Sequence, residues 1–461
     1  MGVGVRTRCA LAAPAVAGLV LAASAGAGPP GQWTPISKGS PLSSDEVGVA
    51  RTPDGVLHVL WQRRATTVTA FWHTRIGADG RTTGAEPIAP GLSDGGSPAL
   101  TTGPDGALRG FFFVRVADGA SAELRVAAAQ PGGAWTVASK PLAQAAGSAP
   151  PSVGAAAARD GTPIVAWATG SQVRYRVGVD PGTPPVAVGA GGCCALGAQA
   201  AVDQVTGQAY IAWAATAAGS TGIFVRAVGR AGPNRPQVFA PGSANRKRDA
   251  AVLPDGRVAL AARGGTTGVY LAYTSGFPRV RTVDILRVGA RALVLVVKAP
   301  GASHVMLAPG PRGRLWLAWA RGGTIFAART NRGASKLGAI RQIAIRRGST
   351  VVHELQGDGA GGPLDIVANL GSRGGNAALW HQQVLPGLTL AITTGGSTAG
   401  TTRYVFRVTD AGEPVENATV KVGKQTLTTG LAGTVALSTS DRPPNATASK
   451  LGYAPATTPL P

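Results

Sequence analysis

The sequence predicts an all-β protein: a seven-bladed β-propeller, with six blades as the alternative, followed by a small β-sandwich domain. Two observations predict the propeller. A strand, Asp-Gly turn and strand unit, first seen at Val49–Trp61, recurs about every 50 residues, close to the period of propeller blades with four strands each. A large aromatic residue follows the turn glycine by six positions in five of the seven units.

Each repeat unit is defined by a turn glycine, because glycine takes a positive φ without a Cβ clash. The turn glycines are Gly55, Gly106, Gly161, Gly207, Gly256, Gly313 and Gly362. The aromatic residues six positions later are Trp61, Phe112, Trp167, Trp213 and Trp319. Both faces of a blade pack on neighbouring blades, so we expect these aromatic side chains in the core between blades, not in a ligand platform.

The strand pattern also predicts how the ring closes. Each unit reads as four strands, but the seventh supplies only three, which end with Ala377–Gln382. The segment Gln32–Ile36 reads as a fourth strand that precedes the first unit. We therefore expect the N-terminal strand to complete the last blade, because closure removes the open edges of the sheet.

Four regions follow from this pattern. Residues 1–25 form a secretory signal peptide, with a basic start, an apolar core and small residues at the cleavage site. Residues 26–385 form the propeller. Residues 386–402 form a linker and first-strand region that includes the glycine-rich run Gly395–Thr402. Residues 403–461 form a β-sandwich with a disordered tail at Ala454–Pro461. No stretch after the signal is long enough to span a bilayer.

Composition gives the charge and the compartment. The chain has 44 Lys and Arg against 22 Asp and Glu, a net charge of +22. Such a chain is attracted to anionic surfaces at low salt. No recognition helix and no interleaving of basic and aromatic residues accompanies the charge, so specific nucleic-acid binding is not predicted. We expect a secreted or cell-envelope protein, monomeric and without a cofactor.

The unit with Trp at the end of its second strand and Arg at the end of its third resembles the sialidase-like superfamily of propellers, over about Trp33–Gln383. The Asp box of that family keeps only its Gly and Trp in Pro131–Trp135. The family's catalytic Arg, Tyr and Glu motifs are not found, so no catalytic residue is predicted. Glu354 is expected to be a charge at a strand end.

The C-terminal region Leu388–Tyr453 resembles bacterial Ig-like and carboxypeptidase regulatory-like modules. The matching residues begin with Val408-Thr409-Asp410-Ala411-Gly412-Glu413-Pro414-Val415 and end with Gly452-Tyr453. The resemblance implies a spacer or adhesive module without catalytic function.

Cys193 and Cys194 are the only cysteines after the signal region, and they are adjacent. Secreted cysteines are usually oxidised, so the alternatives are a vicinal disulfide, two free thiols or an intermolecular bridge. Some secreted sialidase-like proteins carry adjacent cysteines at this point of a blade, and the resemblance favours the vicinal disulfide. The five histidines have no ligand spacing, so we predict no metal site and a structural role for each.

Basic residues recur where the loops of one propeller face are expected. They are Arg63, Arg64, Arg115, Arg263, Arg321 and Arg373 after second strands, and Arg246, Lys247 and Arg248 before a first strand. Convergent guanidinium groups bind carboxylate, sulfate or phosphate through paired hydrogen bonds.

We therefore predict a non-catalytic binding protein whose ligand is an anionic polysaccharide or cell-wall polymer. A propeller-type glycoside hydrolase or lyase is the alternative. A scaffold that binds an envelope protein is the second alternative.

Overall fold

A computed structural model describes residues 30–37, 47–64, 69–92, 95–116, 120–146, 151, 153–169, 172–188, 195–215, 222–229, 258–276, 279–372, 375–398, 400–441 and 443–461. The described chain is almost entirely β-strand, arranged as antiparallel sheets, with one 3₁₀ turn at Pro311–Gly313. No helix in this part of the chain is long and apolar enough to cross a membrane.

Seven sheets succeed one another along residues 47–384 of the described chain. Sheet 1 contains Val47–Arg51, Leu57–Arg64, Thr69–Ile76 and Glu86–Ala89. Sheet 2 contains Ala99–Thr102, Leu108–Arg115, Ser121–Ala129, Thr136–Val137 and Ala143–Ala146. Sheet 3 contains Val153–Ala157, Pro163–Thr169, Gln172–Val177 and Val186–Ala187. Sheet 4 contains Ala195–Val202, Ala209–Ala215 and Gly222–Ala227.

The remaining three sheets of this series follow the same order. Sheet 5 contains Ala259–Ala262, Val269–Ser275, Thr282–Arg287 and Leu293–Lys298. Sheet 6 contains Ser303–Pro309, Leu315–Arg321, Thr324–Arg329 and Arg341–Ala344. Sheet 7 contains Val351–Asp358, Leu364–Gly371, Ala377–Val384 and, from the N-terminus, Thr34–Pro35.

The first strands of the seven sheets stand side by side in a ring. Each packs beside the first strand of the next sheet, and the first strand of sheet 7 packs beside that of sheet 1. Glycines permit this close approach: a Cβ on Gly48 would lie 2.7 Å from the backbone nitrogen of Leu100, and one on Gly154 would lie 2.3 Å from the carbonyl oxygen of Ala198. This arrangement is typical of a propeller.

Apolar side chains fill the space between neighbouring sheets. Trp167 packs with Phe113 of sheet 2, and Trp213 packs with Ala166 of sheet 3; both tryptophans are fully buried. Phe112 contacts Phe71 of sheet 1, with 4.1 Å between ring centroids. The prediction that the recurrent aromatic residues form the core between sheets is therefore confirmed.

The N-terminal strand completes sheet 7, as predicted. Thr34 is paired with His381, and Pro35 with Trp380, in antiparallel register. The indole nitrogen of Trp33 donates a hydrogen bond to the carbonyl oxygen of Ala344 in sheet 6, at 2.9 Å. The two ends of the repeat region are thus held by backbone pairing.

The fifth repeat differs from its prediction by one strand. Ala259–Ala262, expected to be the second strand of its sheet, is the first strand, and it packs beside the first strands of sheets 4 and 6. The turn that follows it runs to Gly268, where φ is +123°, and Arg263 N donates to Gly268 O at 3.0 Å. The glycines of this turn are not part of an Asp-Gly pair, so the sequence pattern placed the turn of the fifth repeat elsewhere.

Two further sheets form the C-terminal region. One contains Thr389–Thr398, Thr401–Asp410, Glu413–Pro414 and Thr434–Thr439. The other contains Gln425–Thr428, Thr419–Val422, Asn445–Ser449 and Ala456–Pro459. They enclose one apolar cluster, in which Phe406, Val408 and Val420 are fully buried. We refer to residues 389–459 as the C-terminal module.

Two predictions for this region were wrong. The run Gly395–Thr402 is not a flexible linker, because Thr398 and Thr401 are paired across a tight turn in which Gly400 has a φ of +76°. The tail is not disordered, because Ala456–Pro459 is paired with Asn445–Ser449. The Thr458 hydroxyl also donates to the carbonyl oxygen of Leu390 at 2.9 Å.

The C-terminal module docks on sheet 6 through buried charges. Arg329 donates to Asp410 at 2.5 Å, and its guanidinium carbon lies 5.7 Å from the ring centroid of Trp316 and 5.5 Å from that of Tyr453. Glu413 accepts a hydrogen bond from the backbone nitrogen of Arg332 at 2.8 Å. Asp410 and Glu413 thus hold the C-terminal module against sheet 6.

Candidate functional site

Three sheets carry predicted arginines at the same end. Arg63, Arg115 and Arg321 are at or next to the last residue of the second strands of sheets 1, 2 and 6. Arg63 and Arg321 are exposed, and the guanidinium of Arg321 lies 4.8 Å from the ring centroid of Phe326. Arg64 ends the same strand as Arg63. We call Arg63, Arg115 and Arg321 the basic rim.

Arg263 does not belong to the basic rim, because its predicted place after a second strand was wrong. It follows the first strand of sheet 5, so it lies at the opposite end of the sheets, among the turns that join first and second strands. Its Nε donates to Gly313 O at 2.7 Å, and its Nη2 donates to Arg332 O. These bonds to the backbone of sheet 6 give it a structural role.

The other predicted positions lie outside the described residues. They are Arg373, Arg246, Lys247, Arg248, Cys193 and Cys194. The basic face and the vicinal disulfide therefore remain predictions at these positions.

A cavity of about 430 Å³ lies between sheets 1 and 2, at the end of the sheets opposite the basic rim. We call it the histidine pocket. Its ionisable and aromatic lining comes from Asp54, His58, His73, Arg75, Glu86, Asp105 and Trp135. Its volume falls within the range of small-molecule sites.

The β-register explains why three of these side chains meet. His58 is paired with Arg75, and Leu60 with His73, on adjacent antiparallel strands. His58 and His73 are therefore diagonal neighbours on one face of sheet 1, since side chains alternate with a period of two. Glu86, on the outermost strand, is directly opposite His73. Three successive strands thus bring His58, His73 and Glu86 together on one face of sheet 1.

These groups form a continuous hydrogen-bonded sequence, which we call the polar chain. The Thr52 hydroxyl donates to Asp54 Oδ1 at 2.5 Å and lies 3.1 Å from His58 Nε2. His58 Nδ1 lies 2.9 Å from His73 Nε2. His73 Nδ1 lies 2.7 Å from Glu86 Oε1. The middle of the chain is buried, whereas Asp54 is exposed and the side chain of Glu86 is half exposed.

Burial sets the protonation of the polar chain. It lowers the pKa of His58 to about 4, with a further contribution from the charge of His73. Burial also lowers the pKa of His73, against the opposing effects of the hydrogen bond and charge of Glu86. The hydrogen bond from Thr52 lowers the pKa of Asp54. Both imidazoles are therefore neutral at pH 7.

The histidine pocket is acidic in a strongly basic protein. Asp54, Glu86 and Asp105 line it, against one cation, Arg75. The indole of Trp135 adds an aromatic surface, and its ring centroid is 5.1 Å from that of His73, in an edge-on arrangement. Carboxylates and neutral imidazoles accept hydrogen bonds from hydroxyl groups, and an indole packs on apolar surfaces.

The sequence pattern predicts no functional role for this site. The five histidines have no ligand spacing, although the spacing of His58 and His73 across a short hairpin contains the signal. Aligning that hairpin by its alternating residues would have placed both rings on one face. In the sequence Trp135 is only the Trp of a degenerate Asp box, and its position in the pocket depends on contacts between sheets.

A second buried ionic cluster joins the two ends of the ring. Arg51 of sheet 1 donates to Asp358 at 2.6 Å and also to Asp365, both in sheet 7. Asp365 contacts His381 Nε2 at 2.9 Å. Burial acts to raise the pKa of Asp365, but the hydrogen bond from His381 and the charge of Arg51 outweigh it and hold that pKa below its ordinary value. This cluster closes the ring and does not line the histidine pocket.

Glu354, expected at a strand end, is fully buried among the first strands of the sheets, where the side-chain amide of Gln356 donates to it at 3.0 Å. No group of three or more His, Cys, Asp or Glu in the described chain is arranged to hold a metal ion.

Comparisons with known proteins give similarity at the level of structure. No family model and no curated protein matches the chain. The α-L-arabinanase of Penicillium chrysogenum is 13% identical over 63% of this chain and 93% of its own, with a TM-score of 0.44. The polysaccharide lyase Uly1 is 10% identical over 74% of this chain and 90% of its own, with a TM-score of 0.43. An α-L-arabinofuranosidase of Fusarium graminearum is 14% identical over 62% of this chain and 92% of its own, with a TM-score of 0.42.

Proposed function

We propose that this chain is a secreted, seven-bladed propeller that binds a neutral saccharide in the histidine pocket. The pocket itself carries the proposal: about 430 Å³ of space lined by an indole, two neutral imidazoles and several carboxylates. Hydroxyl groups of a sugar would donate to the carboxylates, and the apolar face of a sugar ring would pack on Trp135. The ring of seven first strands supports the blade number.

The C-terminal module is, in this proposal, a regulatory-like β-sandwich held rigidly on the propeller. Its support is the buried contact of Asp410 with Arg329. The protein would act outside the cytoplasm as a monomer. Whether the pocket only binds or also hydrolyses its saccharide is decided by product analysis in the experiment below.

The experiment measures binding of cellobiose, maltose and arabinobiose to the full chain by titration calorimetry, with chromatography of the sugars afterwards. We expect at least one disaccharide to bind, and Trp135→Ala to weaken that binding at least tenfold. Trp380→Ala is the matched control, because Trp380 lies on sheet 7, away from the pocket, where it packs against Arg346 at 4.2 Å. Failure of all three sugars to bind, or equal losses in the two variants, would overturn the proposal.

The basic rim supports a second candidate, binding of an anionic polysaccharide. Arg63 and Arg321 are exposed at the same end of their sheets, and guanidinium groups keep their charge at any physiological pH. A polymer on this end would not compete with a sugar in the histidine pocket, since the two sites lie at opposite ends of the sheets.

A further inference from the structure

The outermost strand of sheet 5 differs from the outermost strands of the other sheets. Leu293–Lys298 is six residues long, and its first five residues are all leucine or valine. The outermost strands of sheets 1, 2, 3, 6 and 7 are two to four residues long, and each has at most one valine or isoleucine. Native sheets avoid pairing with other chains through short edges or polar residues. Apart from Lys298 at its end, the edge of sheet 5 lacks both protections.

The outer side of this strand is unpaired in the described chain. Its inner side pairs with Thr282–Arg287, and no other described strand pairs with it. No described residue outside this pair of strands forms a hydrogen bond with its backbone. The pairing is regular from Leu295 to Lys298, and Val294 is an extra residue that forms a bulge. The outward N–H and C=O groups of Leu295–Lys298 can therefore pair with a further strand.

Apolar side chains line the unpaired edge. Val296 is 57% exposed, and Leu293, Val294 and Leu295 are half-buried. A strand added beside them would remove apolar surface from water, which favours association. In this mode of recognition the backbone hydrogen bonds supply affinity, and alternate side chains supply specificity. The edge thus offers both contributions to one extended segment of chain.

The exposed charges of residues 258–302 are all positive. Their one carboxylate, Asp284, is 1% exposed, and it accepts a hydrogen bond from Ser275 at 2.7 Å. Exposed cations lie at both ends of the strand. They are Arg281 and Lys298 at one end, and Arg287 and Arg291 at the other. Pairing of this edge with that of a second copy would bring like charges together, which is unfavourable. A partner with acidic residues is favoured instead.

We propose that the outer edge of sheet 5 docks an extended segment of another protein, with apolar residues at its centre and acidic residues at both ends. The segment forms a fifth strand beside Leu295–Lys298, and its side chains cover Val296. Its carboxylates meet the two pairs of cations, which the six-residue strand separates by roughly 20 Å. Guanidinium groups bind carboxylates through paired hydrogen bonds. The histidine pocket lies between sheets 1 and 2, so this proposal does not rest on saccharide binding.

The test uses a fluorescently labelled peptide, Asp-Asp-Val-Thr-Val-Thr-Val-Asp-Asp, and the full chain. Fluorescence anisotropy measures binding, and amide hydrogen exchange locates the peptide on the protein. We expect the peptide to bind and to slow exchange in Leu295–Lys298. A second peptide, in which lysine replaces every aspartate, should bind at least tenfold more weakly. Absence of binding by the aspartate peptide would overturn the proposal, and equal binding of the two peptides would overturn the requirement for acidic ends.

Val296→Glu is the decisive variant, because a charge in the middle of an edge strand opposes pairing with another chain. Val296 is 57% exposed, so the fold should tolerate the change. Val186→Glu is the matched control, since Val186 is 47% exposed on the two-residue outermost strand of sheet 3. We expect Val296→Glu to weaken binding of the aspartate peptide at least tenfold and Val186→Glu to leave it unchanged. Equal effects of the two variants would overturn the proposal.

Sedimentation of the parent chain tests the remaining occupant, a second copy. We expect a monomer, because exposed cations lie at both ends of the edge. A dimer that the aspartate peptide separates into monomers would identify the second copy as the occupant and overturn the proposal.

Discussion

Replacing Arg51 with methionine should open the ring between sheets 7 and 1. The guanidinium is 11% exposed and pairs with Asp358 and Asp365, which are themselves 13% and 8% exposed. Asp358 and Asp365 are directly opposite each other in the β-register, so the variant leaves two like charges adjacent without a counter-charge. Removing one partner of a buried ion pair costs about 3–5 kcal/mol, and we expect a loss of that size in the free energy of unfolding.

The assay is urea denaturation followed by tryptophan fluorescence at pH 7, with Arg174→Met as the matched control. Arg174 makes its side-chain hydrogen bonds to Gln172 of its own strand, and its loss should cost under about 0.5 kcal/mol. Adding Asp358→Asn to Arg51→Met removes one of the opposed charges and should recover part of the loss. If Arg51→Met unfolds within about 1 kcal/mol of the control, the buried cluster does not close the ring.

The stability of Arg51→Met should also change with pH in a direction that can be predicted. In the parent protein the pKa of Asp365 is held below its ordinary value. Its stabilising contribution is therefore present above that ordinary value and is lost as pH falls through the folded-state pKa. Burial already raises the pKa of Asp358 in the parent, against the opposing charge of Arg51. Without Arg51, burial and the neighbouring carboxylate raise the pKa of Asp365 as well and raise that of Asp358 further. The stability of Arg51→Met should consequently increase from pH 7 to pH 5, whereas a parallel decrease in both proteins would contradict the reasoning.

Three other predictions concern the edge, the docked module and the basic rim. Deleting Gln32–Ile36 exposes the edge of sheet 7 and should lower the melting temperature or cause aggregation; unchanged melting would argue against closure by this strand. Asp410→Asn removes a carboxylate that is 3% exposed and bonded to an arginine, so trypsin should release the C-terminal module from the variant much faster than from the parent. Equal rates of digestion would contradict docking through this charge. In the parent, binding to dextran sulfate should weaken as salt rises, and replacing Arg63 and Arg321 with glutamine should remove that binding. Arg263→Gln should lower thermal stability and leave the binding intact. The reverse pattern would place the anion site at the other end of the sheets.

Much of the fold could be predicted because its signals are local. The turn glycines and the alternating apolar strands identify the hairpins, and the spare strand at Thr34–Pro35 predicts closure. The strand order predicted for the fifth repeat was wrong because its turn, ending at Gly268, lacks the Asp-Gly signal. The prediction of a disordered tail was wrong because the strand Ala456–Pro459 depends on pairing with Asn445–Ser449 rather than on its own composition.

The candidate site was harder to predict, since it depends on register and on contacts between sheets. A one-residue change in the pairing of Thr69–Ile76 with Leu57–Arg64 would move His73 to the other face, so its contact with Glu86 cannot be inferred from spacing alone. Arg51 and Asp365 are 314 positions apart. Nothing in their local sequence distinguishes them from the many solvated charges of a basic protein.

The pairing of Thr34 with His381 also determines when this protein can finish folding. The two residues are 347 positions apart, so bringing them together carries a loop-closure cost of about 5 kcal/mol. During synthesis, the N-terminal strand must wait until nearly the whole repeat region has left the ribosome before its partner exists. Such long-range contacts are typical of slow folding, and until they form, the last sheet presents an edge on which another chain can pair.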